Sequence, residues 1–113
     1  MLTHLLQLVN AMVIIKNLSE KIEDELEDAD KYIKCALRVK EDYPQLAETY
    51  YKLSLEEMKH MAMLHDEVVK IINDYKKTNE VPVGMKAIYD YLHERHIKYA
   101  SKIRAKQDSF KTT

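Results

Sequence analysis

The sequence has little that would interrupt a helix. One glycine and two prolines stand among 113 residues, too few for a loop-rich or β-rich fold. A single cysteine, Cys35, rules out an internal disulfide and a four-thiolate zinc or iron centre built within the chain. It agrees with a reducing, cytoplasmic setting. Charge of one sign is also missing. Eighteen Lys and Arg against nineteen Asp and Glu leave a formal net charge of -1, so bulk electrostatics give no case for nucleic acid or an anionic membrane. Long hydrophobic runs are absent as well. The most apolar stretch, LTHLLQLVNAMVII (Leu2–Ile15), is broken by His4, Gln7 and Asn10. It lacks the basic start and small-residue cleavage pattern of a signal peptide and is too short and polar to span a bilayer. It also lacks the basic face of a membrane-surface helix, so core or oligomer packing is its expected role.

What is present favours helices. Hydrophobic residues make up 46% of the chain and charged residues 33%, the balance of an all-α bundle forming one domain over 1–113. Two points punctuate the pattern. KEDYP (Lys40–Pro44) ends in a proline suited to the first turn of a helix, and KKTNEVPVG (Lys76–Gly84) holds Pro82 and the glycine. The spacing predicts three long helices over about 3–41, 44–76 and 83–110, the first with a candidate break at Asn17–Ser19, where Asn17 and Glu20 resemble a capping box.

Each helix carries an apolar stripe. The first runs through Leu5, Leu8, Met12, Ile15, Ile22, Leu26, Ala29, Ile33 and Ala36, with Ser19 between Ile15 and Ile22. Its alternating steps of three and four approach a heptad, which favours side-by-side packing. The second aligns Leu46, Tyr50, Leu53, Met61, Leu64, Val68, Ile71 and Tyr75; the third aligns Met85, Ile88, Leu92, Tyr99, Ile103 and Phe110.

Some polar residues fall on these stripes. At about 100° per residue, Glu57 projects from the middle of the second, with His60 at its edge one turn on. Glu25 lies within the arc of the first, Asp28 at its edge, and Glu23 and Glu27 point outward. In the third helix His96 falls on the stripe, His93 at its border and Glu94 away from it. A buried carboxylate must be protonated, paired or metal-bound. A carboxylate and an imidazole three residues apart on a helix reach a common point, and a carboxylate from a facing helix makes half of a di-metal carboxylate site. Such oxygen and nitrogen donors suit iron or manganese, with zinc chemically possible. Glu25, Glu57 and His60 are the principal candidate ligands, joined by His96 and Asp28. The plainer readings are a solvated Glu57–His60 pair, a hydrogen-bonded core His96, and tyrosines and methionines that simply pack.

ELEDADKY (Glu25–Tyr32) followed by EEMKH (Glu56–His60) resembles the first half of the ferritin-like superfamily, above all rubrerythrin-type domains. The wider chain resembles short ferritin-like proteins of bacteria and their phages. The resemblance covers about Glu20–Tyr75. It implies Glu25, Glu57 and His60 as metal ligands and Tyr32 as a neighbour just behind them. It also implies a ferritin-like antiparallel bundle in which these three long helices are completed by dimerisation. The chain departs from the family in the third helix, which has no Glu-x-x-His, and in lacking the four cysteines of a rubrerythrin iron domain. Short encapsulated ferritins complete the four-helix site with a second chain, and a homodimer or higher homo-oligomer is expected here on the same pattern.

Two functions follow. One is a di-iron or manganese carboxylate protein with ferroxidase- or peroxidase-like chemistry at a site shared between chains. The other is a non-catalytic helical interaction module, such as a phage accessory or assembly protein, in which Glu57 and His60 fix register without a metal.

Overall fold

The computed structural model describes residues 2–112; the predicted domain over 1–113 also reaches Met1 and Thr113, which lie outside the described residues. Three α-helices account for nearly all of them: α1 Leu2–Val39, α2 Pro44–Thr78 and α3 Val83–Thr112. They run up, down and up, so α3 is parallel to α1. α1 is the central element. It shares its longest interface with α2, α3 packs chiefly on α1, and α2 and α3 barely touch. The result is a rod of 63 × 18 × 17 Å. No helix among the described residues is long and apolar enough to cross a membrane.

The turns follow local chemistry. Pro44 opens α2 in its first turn, where its missing N–H is no loss, and the Tyr43 N–H returns to the Val39 carbonyl at 2.8 Å. Asn79 ends α2 in an extended conformation and donates its backbone N–H to Tyr75 at 3.1 Å. Its side chain then ties the start of α1 to this corner, 2.6 Å from His4 and 3.2 Å from Gln7. At the other end the Lys40 ammonium holds the Phe110 carbonyl. Gly84 is not part of the turn. It lies in the first turn of α3 without a positive φ.

The core is one cluster running along all three helices. Ile22, Leu26, Ala29, Ile33 and Ala36 of α1 are buried as the stripe predicts, and Ile103 and Phe110 of α3 likewise. Three expectations change. α1 is continuous through Asn17–Ser19, so Asn17 is an exposed mid-helix residue rather than the cap of a new helix, and Ser19 is buried on the stripe. Leu5 and Met12 are exposed, while Ala11 and Ile15 are buried. A straight helix drifts about 20° per heptad, so residues spaced seven apart cannot all face one partner. Going back in such steps from Ile33 and Leu26, the positions of Ser19, Met12 and Leu5 turn progressively off the core. Ile88 of α3, at the matching end, is exposed too.

The third change bears on function. α2 buries Ala47, Ser54, Met58, Met61, Val68 and Ile72, while Leu46 and Leu53 stay exposed. The stripe is therefore rotated from the predicted one toward its small residues. Small side chains let the backbones approach, and Ser54 Oγ–H donates to the Ala29 carbonyl of α1 at 2.8 Å. Gln107 of α3 donates in turn to Ser54 Oγ at 2.9 Å, so one buried polar chain links three helices.

Candidate metal centre

The rotation of α2 moves Glu57 from the predicted centre of the stripe to its flank. It leaves the carboxylate partly buried, at 18% side-chain exposure, facing Glu25 of α1 at 26%. His60, one turn on, is half exposed at 50%. His60 Nδ1 stands 3.6 Å from Glu25 Oε2 and 3.7 Å from Glu57 Oε2, and donor atoms of the three residues all lie within 4.8 Å of one another. Among the described residues this is the one group of three or more such donors placed this way.

These distances decide what the cluster can do. A hydrogen bond to a carboxylate spans about 2.7–2.9 Å, so the imidazole stands back from both oxygens. Two donors held about 2.0–2.2 Å from one ion are commonly about 3–4 Å apart, and the imidazole stands at that distance from each carboxylate. Two carboxylates share one imidazole, and among the described residues His60 is the only base in ion-pair reach of either. The donor set is short of positive charge and is of a type that could hold a metal ion.

Heptad columns run through the cluster. Leu18, Glu25, Tyr32 and Val39 lie seven apart on α1; Tyr50, Glu57, Leu64 and Ile71 lie seven apart on α2. All eight are partly buried, so the candidate ligands sit in an apolar seam that the chain leaves half open. Leu46 and Leu53, in the column of His60, are exposed beside it. Tyr32 packs on Tyr50 across the α1–α2 interface, with ring centroids 6.2 Å apart.

The other candidates lie elsewhere. Asp28 is exposed and is not a member of the donor group. His96 is buried but faces a different side of α1, where its Nε2 meets Glu23 Oε2 at 2.9 Å. Glu23, expected to point outward, is instead the hub of that contact and also accepts from Arg95 Nη2 at 2.7 Å. Glu94 faces away as predicted and pairs with Lys98. Two turns further along, Asp30 is buried and accepts from Lys106 at 2.6 Å, Lys34 at 2.8 Å and Tyr99 at 3.3 Å. Burial alone would raise the Asp30 pKa; the two lysines outweigh it and hold the carboxyl below its usual range. Burial, with Asp30 alongside, pushes the Tyr99 hydroxyl up to about 12, so it stays a donor.

The chain matches no family model, no curated protein and no solved structure. The geometry of the chain itself is therefore what carries a functional reading. Sequence periodicity missed Glu23 and Asp30 because it assigned α1 a single buried face. The signal was present: Ser19, Glu23 and Asp30 lie on one side of α1, roughly opposite Glu25 at about 100° per residue. A central helix needs a second face, and that side is where α3 packs.

Proposed function

We propose that this chain is a ferritin-like carboxylate protein in which Glu25, Glu57 and His60 hold a transition-metal ion, and in which a second copy supplies the matching half of a two-metal site. The observation that carries the reading is the convergence of two carboxylates and one imidazole at ion-binding spacing, with no lysine or arginine among the described residues paired to either carboxylate. The half-open apolar seam around the cluster supports the dimer. A two-fold axis through it would bring Glu25, Glu57 and His60 together twice while covering Leu46, Leu53 and Leu64. Iron or manganese held there would supply electron exchange with dioxygen or peroxide, which side chains cannot provide. The protein's own part is to orient three donors from two packed helices and to shield them with Tyr32, Tyr50 and the leucines of the seam.

The experiment is an anaerobic Fe(II) titration of the purified chain, with a parallel Mn(II) titration, followed by admission of oxygen. One ion per chain, a dimer in sedimentation, and a ferric absorption band after oxygen are expected; Glu57→Ala and His60→Ala should each abolish stoichiometric binding. Binding that survives both substitutions overturns the ligand assignment. A second reading draws on the exposure of His60 and of the flanking leucines: a helical interaction module whose seam receives another protein without a metal. A chain that stays metal-free and monomeric in the titration favours that reading.

A further inference from the structure

A second histidine group lies apart from the candidate ligands. His65 of α2 and His93 of α3 meet with Nε2 and Nδ1 3.0 Å apart, and their rings stack at 4.8 Å between centroids. Tyr89 stacks on His93 in turn, at 5.6 Å and 12° between planes. Both imidazoles are partly buried. The contact matters because α2 and α3 share little backbone proximity and their other side-chain links, Ser54 to Gln107, the Tyr51–Phe110 ring stack and Lys111 to Glu48, lie toward the opposite end of the rod.

A histidine pair bonded this way must contain one donor and one acceptor. With both rings neutral that condition is met. Protonating the accepting nitrogen removes the acceptor and turns two donors toward each other, and a second proton adds like charge at contact distance. The surroundings do little to offset this. Burial, and after it His93, holds the His65 pKa below the ordinary histidine range; Asp66, its neighbour on α2, opposes this only in part, and His96 adds a little to the lowering. On α3 the pair faces Tyr89, whose hydroxyl is pushed up by burial and stays neutral. On α1, Glu23 is engaged by Arg95 and His96 and is not among the charges acting on His65.

The α1 side of α3 is held differently: His96 meets a carboxylate rather than a second imidazole, so two imidazoles are not set against each other there. We infer that His65 and His93 form a proton-operated latch: near neutral pH it closes α3 onto α2, and in mild acid it opens, with α3 remaining attached to α1. No third donor joins the two rings among the described residues.

The test places spin labels on exposed positions of α2 and α3, Ala62→Cys and Ile97→Cys, with Cys35→Ser, and measures their separation at pH 8 and pH 5 with chelator present throughout. A second pair, Glu27→Cys and Ile97→Cys, reports α1 to α3. The α2–α3 distance is expected to lengthen at pH 5 while the α1–α3 distance holds. His65→Phe with His93→Phe keeps a ring stack that cannot titrate and should hold one α2–α3 distance at both pH values. An unchanged α2–α3 distance in the wild type, or the same lengthening in the double Phe variant, overturns the latch. Should that variant fold poorly, proton titration of the unlabelled protein by NMR decides the matter. Loss of the contacts between His65 and His93 as they charge supports the latch, and retention of those contacts in the charged state sinks it.

Discussion

α1 carries two acidic clusters on opposite sides, and they are built differently. On the α3 side Glu23 and Asp30 are matched by Arg95, His96, Lys34 and Lys106, at distances from 2.6 to 2.9 Å. On the α2 side Glu25 and Glu57 share one half-exposed imidazole at 3.6 and 3.7 Å. A balanced carboxylate has its charge answered by the chain itself and serves to join helices. An unbalanced pair at similar depth leaves that role open to something from outside. The contrast teaches that proximity of acidic residues says little until their counter-charges are identified.

Substitutions can break this contrast in a graded way. Asp30→Ala should cost the most, about 2 kcal/mol in urea unfolding, because it leaves the half-buried Lys106 and Tyr99 without their partner, while the largely solvated Lys34 loses little. The sign with pH follows from the lowered Asp30 pKa. Its stabilisation is complete above the unfolded value and is lost as pH falls through the folded one, so acid should narrow the gap between wild type and Asp30→Ala below about pH 4. Glu23→Gln should cost about 1 kcal/mol, mainly through the buried His96, since Arg95 is largely solvated. Glu57→Gln in metal-free protein should go the other way, neutral or stabilising by up to about 1 kcal/mol, because it relieves two facing carboxylates. A Glu57→Gln loss as large as that of Glu23→Gln would show the α2 side to be balanced after all. A control away from both clusters sets the baseline. Gly84→Ala meets nothing within 4 Å in a helical position and should gain about 0.5–1 kcal/mol without touching either cluster.

Much of this architecture was legible from residue order. Pro44 and the Asn79–Pro82 corner marked the helix limits because both act through local backbone chemistry. Glu25, Glu57 and His60 were found together because helical periodicity places them on adjoining faces, and that part of the site needed no knowledge of tertiary detail. What periodicity could not supply was the rotation of α2. Leu46 and Leu53 outrank Ala47 and Ser54 in hydrophobicity, yet the smaller pair is buried because it permits close approach and the Ser54–Ala29 hydrogen bond. Hydrophobicity ranks side chains one at a time, whereas the fit between two backbones depends on volume. His96 was misplaced for a related reason: being on a buried stripe does not say which neighbour the stripe meets.

The uninterrupted course of α1 from Leu2 to Val39 has a mechanical consequence. Glu23 and Glu25 project roughly 160° apart from one stiff shaft. Torque applied at either carboxylate therefore swings the other through the same arc. A turn of the shaft demanded by a cation in the proposed site beside Glu25 would be felt where Glu23 meets His96, and any such coupling would by reciprocity run equally in both directions.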